Sequence, residues 1–148
     1  MAAGLLLLLV QAAAGWFAAG FIWTMQVLHY PLFARVGEAD FPAYEREHNR
    51  RFFPLIVPSV LVVIVTAVAL LFSRPGQVPV VAPILVLALA AVIVVSTARF
   101  QAPAHARLAS GFDAAVHRGL VMGNWVRTIA WTAIGLLDLV ALWLALRP

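Results

Sequence analysis

The chain has 148 residues, of which 64% are hydrophobic and 11% charged, with a mean hydropathy of +0.99. About a quarter of a soluble domain is charged, so an ordinary water-soluble fold is excluded. Ten arginines and no lysine stand against six acids; the arginines flank apolar runs, so they are read as orienting a membrane chain, and nucleic acid is set aside as a partner.

There is no cysteine, which removes disulfides and thiolate chemistry. Any metal or haem would be held by His, carboxylate or Met. One membrane domain over residues 1–148 is expected, an all-α bundle of four transmembrane helices with short amphipathic helices on one side.

The first span covers about residues 3–28, with no basic residue ahead of it and a run longer than a signal-peptide core, so it is read as an uncleaved helix. Gln11, Gly15, Gln26 and His29 fall within an arc of about 60° on it, a stripe that hydrocarbon would penalise and neighbouring helices would accept. Pro31 is expected to end the helix.

Residues 34–53 are charged and read as a separate short helix on the membrane surface. Glu38 or Asp40 would serve as its cap and Pro42 would sit in its first turn. Phe41, Tyr44, His48 and Phe52 share one face, and Glu47 can pair with Arg51 at i, i+4. Pro54 is expected to open the second span, 55–72, and Ser73-Arg74-Pro75-Gly76 a tight loop.

The third span runs over about 81–98 and continues past the membrane with Thr97, Gln101 and His105 on one face, until Pro103 kinks or breaks it. Ser110 to Asp113 fits a capping box. From Asp113 a helix leads into the fourth span, 125–146. Asp113, His117, Asn124, Arg127, Trp131 and Asp138 fall there within an arc of about 80°.

Eight arginines lie in the segments after spans one and three and two on the opposite side. That bias places those segments in the cytoplasm and both termini outside.

All four histidines, His29, His48, His105 and His117, fall on the arginine-rich side. Imidazole is the commonest side-chain metal ligand and bundle interiors commonly hold metal or haem, so these four form the candidate metal site. Gln26, Tyr44, Glu45, Gln101, Asp113, Asn124 and Arg127 are its supports, and Asp113 is in reach of His117. No zinc or di-iron spacing is present, and the same histidines also suit capping and anchoring at the interface. Asp138, about 16 Å deeper than Arg127 along the helix, is an intramembrane acid: either a functional group or a neutral Asp bonded to Gln11.

Four motifs occur together: FIWTMQVLHYPLF at 21–33, F-x-x-Y-x-x-x-H-x-R-R at 41–51, Q-x-P-x-H-x-x-L-x-x-G-F-D at 101–113 and N-W-x-R-T-x-x-W at 124–131. In these the chain resembles a family of small bacterial integral membrane proteins of unknown function, which implies four helices and no particular activity. More distantly, the architecture with its His-Tyr-Pro helix end is similar to haem-containing protoporphyrinogen oxidases and anthrone-oxygenase-like membrane proteins. The Lys that the haem proteins pair with their histidine is missing.

Three functions are therefore expected as alternatives. One is a histidine-lined cytoplasmic pocket binding a transition metal or haem for redox work on a lipophilic substrate. Another is an accessory subunit or assembly factor of a larger membrane complex. The last is a small homo-oligomeric transporter using Asp138.

Overall fold

A computed structural model describes residues 2–147 as four long helices: α1, Ala2–Phe33; α2, Phe41–Ser73; α3, Val81–Leu108; and α4, Ala114–Ala145. Each exceeds the roughly 20 residues that cross a bilayer. The loop 74–80 at one end is short, so the surplus turns accumulate at the other, where the arginines are.

Successive helices run antiparallel in a ring in which α1 and α3 each pack on both α2 and α4. Ile22, Val63, Ala67, Val86, Trp131 and Ile134 fill the interior. Outside, Phe72, Val65 and Ile129 are 84%, 65% and 64% exposed. An apolar exterior of this kind suits hydrocarbon and not water, and it makes the chain a multi-pass membrane bundle.

The prolines act differently from the sequence expectation. Pro31 and Pro103 do not end their helices. Each follows a single wide π turn, Met25–His29 in α1 and Thr97–Gln101 in α3, in which the amides of Tyr30 and Ala102 reach back to the carbonyls of Met25 and Thr97. Proline cannot donate to the carbonyl four residues back and its ring collides with it. One extra residue in the preceding turn relieves that conflict, and such bulges cluster at functional sites.

Pro54 likewise lies inside α2, together with Pro58. The charged segment is thus the first third of a continuous helix rather than a separate one. Phe41 and Phe52 of its aromatic face are buried, so that face meets the bundle. Asp40 precedes α2 but makes no side-chain cap. The Glu47–Arg51 pair forms at 2.5 Å.

The expected capping box is also revised. Ser110 bonds to the carbonyl of Arg107, and Asp113 itself is the N-cap of α4, accepting from the amides of Ala115 and Val116. Those two bonds hold its carboxyl below the usual carboxylate range.

Candidate functional site

The two π turns and the first turns of α2 and α4 bring polar side chains from all four helices together at the arginine-rich end. Asn124 of α4 donates to Gln26 Oε1 at 2.8 Å, and Gln26 in turn donates to the carbonyl of Val121. Arg127, one helical turn on, donates through Nε to Asn124 Oδ1 at 3.0 Å. Its Nη2 reaches Asn124 Oδ1, Gln101 Oε1 at 3.2 Å and Tyr30 Oη at 3.3 Å. Gln26, Gln101, Asn124, Arg127 and Tyr30 are all buried.

From Tyr30 the run continues into histidine chemistry. Tyr30 Oη is 3.3 Å from His105 Nε2, and His105 Nδ1 is 2.5 Å from Glu45 Oε1, which also accepts from Asn49. A carboxylate only accepts, so His105 carries its proton on Nδ1; Nε2 is then the acceptor for the Tyr30 hydroxyl. The hydroxyl in turn accepts from Arg127. Donor passes to acceptor from Arg127 through Tyr30 and His105 to Glu45, so the run links the buried guanidinium to the buried carboxylate.

His29 and His48 form an adjoining pair, with His29 Nε2 3.0 Å from His48 Nδ1. The His48 ring lies 4.8 Å from that of His29 and 5.5 Å from that of His105, centroid to centroid. Phe33, fully buried, packs edge-on against His48 and Tyr44 and stacks on His117.

Three of the four candidate histidines therefore share one cluster. His117 is set apart: its Nε2 donates to the backbone carbonyl of Tyr30 at 2.7 Å, tying α4 to α1. Asp113 is exposed as the cap of α4, and its side-chain acceptor is taken by amides rather than by His117. Tyr44 lines a groove beside the cluster. Tyr30 is the residue that sequence reasoning missed. Its one signal was its place between His29 and Pro31, which looks equally like an interfacial aromatic.

Two openings reach this end of the bundle, one at the histidines and one at Arg127. A groove of about 580 Å³ exposes His29, Tyr44 and His48 between α1 and α2, with Glu47 and Arg51 at its rim. A slot of about 280 Å³ lies mainly between α2 and α3 and ends on Arg127 and Trp131. Two cluster atoms, His48 Nε2 and Glu45 Oε2, are buried without a hydrogen-bond partner among the described residues. No group of three His, Asp or Glu side chains there is disposed to hold a metal ion.

Deeper in the bundle, Gln11 Nε2 donates to Asp138 Oδ1 at 2.6 Å and Thr66 Oγ1 bonds to Gln11 Oε1 at 3.1 Å. This group is separate from the histidine cluster.

No family model, curated protein or solved structure matches this chain. The resemblance to small bacterial membrane proteins rests on the quoted motifs alone.

Proposed function

We propose that this is a bacterial inner-membrane protein with its arginine-rich end in the cytoplasm, and that the histidine cluster is an acid–base site working on a lipophilic molecule drawn from the bilayer. The observation that carries the reading is the buried run Glu45–His105–Tyr30–Arg127.

A carboxylate on Nδ1 fixes the imidazole tautomer and stabilises the imidazolium that forms when Nε2 takes a proton. Tyr30 sits where His105 can take its proton, and the resulting phenolate would face the Arg127 guanidinium. The pair thus suits reversible proton transfer at a site shielded from water, where positioned charges act most strongly.

The test is to incubate a lipophilic extract of the native membrane with purified protein in D2O and compare mass spectra. Conversion or deuterium uptake is expected with the wild-type chain, and its loss in Glu45→Gln, His105→Ala and Tyr30→Phe. Identical spectra for the wild type and all three variants would overturn the reading.

A second reading, a transition metal bound for redox chemistry, would rest on two ring nitrogens, His29 Nε2 and His48 Nδ1, which lie 3.0 Å apart. Elemental analysis and an optical spectrum of protein from its native host decide it. Stoichiometric metal or a Soret band, lost in His29→Ala with the fold intact, supports this reading; a colourless, metal-free and folded protein removes it.

A further inference from the structure

Arg127 is 4% exposed, and all its hydrogen-bond acceptors are neutral oxygens: Asn124 Oδ1, Gln101 Oε1 and Tyr30 Oη. Glu45 reaches it only through His105 and Tyr30, and none of the ion pairs among the described residues includes it. Its Nη1 has no acceptor among the described residues. A guanidinium never gives up its charge in a protein, so this is a buried cation without a direct anionic partner, a condition proteins normally avoid. Arg127 also lines the slot, whose remaining wall is almost wholly apolar and whose rim residues Phe53, Leu61, Val94 and Ala98 are exposed on the membrane face. The opening therefore leads sideways from hydrocarbon to a waiting positive charge.

We infer that the slot between α2 and α3 binds a single-tailed amphiphile with a carboxylate head, of fatty-acid type, the head on Arg127 Nη1 and the tail running out past Trp131 into the bilayer. Arginine is the side chain best matched to a carboxylate. At about 280 Å³ the slot is at the lower limit of small-molecule sites. It admits a small head and the first part of one chain, while a diacyl phospholipid has a larger head and two chains. The inference rests on the reading that this end works on lipophilic molecules, and it names their head and their path.

Trp131 supplies the test. Full-length protein in zwitterionic nanodiscs is titrated with a dibrominated fatty acid, whose bromines quench nearby indole fluorescence. The expected result is saturable quenching that disappears in Trp131→Phe and is not reproduced by the methyl ester. Arg127→Gln should weaken binding by about tenfold or more, the loss of a charge-assisted hydrogen bond. Because Arg127 also holds the polar network, Ala98→Trp is the companion variant: it plugs the rim without touching that network and should abolish the saturable component.

Equal quenching by acid and ester, unchanged quenching in Ala98→Trp, or equally tight binding of a dibrominated phosphatidic acid would overturn the inference. Glu45→Gln separates this inference from the acid–base reading, because it leaves the slot intact. Binding without conversion by the wild-type chain refutes the acid–base reading, and conversion without acid-specific binding refutes the carboxylate site.

Discussion

Glu45 Oε1 lies 2.5 Å from His105 Nδ1, joining the start of α2 to the end of α3. The carboxylate is fully buried and the imidazole side chain is 13% exposed, and Glu45 is the acceptor that meets His105 Nδ1. Removing the carboxylate leaves the largely buried Nδ1–H without that acceptor, at a cost of about 1–3 kcal/mol. Glu45→Ala is expected to lose stability on that scale and Glu45→Gln less, since an amide oxygen still accepts from Nδ1–H. Denaturant unfolding in mild detergent measures both, and ¹⁵N spectra of labelled histidine should show the His105 proton on Nδ1 in the wild type. A Glu45→Ala chain as stable as the wild type would contradict the pairing.

Arg127 gives a second prediction. Its planar fork meets three acceptors on three helices, a geometry that a lysine ammonium does not reproduce. Arg127→Lys should therefore lower stability despite keeping the charge, by about 1.5–3 kcal/mol. Asn124→Ala, which strips an acceptor from Arg127 and a donor from Gln26, should fall within about 1–3 kcal/mol. If the two substitutions are combined, their effects should be less than additive because they break the same network. Additivity would place the two side chains in separate environments.

How far these contacts were legible in the sequence depends on the helix. In α4 no bulge intervenes, so a uniform 100° step places His117, Asn124, Arg127, Trp131 and Asp138 on one face, and all five are buried. Gln11, Gly15 and Gln26 in α1 behave likewise. Asp113 lay on the same projected stripe but precedes the first helical residue, where its side chain turns back to cap.

The prolines were the larger misreading. Pro31, Pro54 and Pro103 carry the local signal of a helix end, and only packing in the bundle shows that α1 and α3 absorb theirs with a π turn. Which histidine meets which partner depends on those turns and on the way helices from distant parts of the chain abut. Tyr30 therefore joins the site by tertiary geometry and had no periodic pattern to announce it.

Asp113 gives a prediction about pH. The amides of Ala115 and Val116 lower its folded-state pKa, so the ionised cap contributes stability that is fully present above the unfolded carboxylate value of about 3.9. That contribution is lost as pH falls through the lower folded value. The melting temperature of Asp113→Ala should thus lie below that of the wild type at neutral pH, and the gap should narrow on acidification. Asp113→Asn, which still accepts from the amides but carries no charge, should lie between Asp113→Ala and the wild type at neutral pH. A gap independent of pH would mean that the cap does not act through its charge.

Two glycines of α1 test its packing. A Cβ on Gly4 would lie 2.3 Å from the Ser73 carbonyl oxygen, whereas one on Gly20 meets nothing within 4 Å. Gly4→Ala must push the start of α1 away from the end of α2, at a cost of about 1–3 kcal/mol. Gly20→Ala removes backbone freedom without a clash and should stabilise by about 0.5–1 kcal/mol. Opposite signs in one unfolding series are the expected result; the same sign for both would dispute the α1–α2 contact.

Asp138 decides between a fastening and a working group. It is 1% exposed and bonded to Gln11, which Thr66 supports from α2, so the three residues tie α4, α1 and α2 together at one depth. Interhelical hydrogen bonds inside membranes contribute about 0.6–2 kcal/mol each. Asp138→Asn keeps an oxygen to accept from Gln11 and should unfold close to the wild type, while Asp138→Leu should lose about 1–2 kcal/mol. For a transport role the conservative change is the informative one, since an amide cannot exchange a proton at physiological pH. Proton flux in liposomes that depends on the wild-type chain and vanishes in a folded Asp138→Asn variant would make Asp138 a working group. Equal leak in the two, with Asp138→Leu destabilised, leaves it as the fastening between three helices.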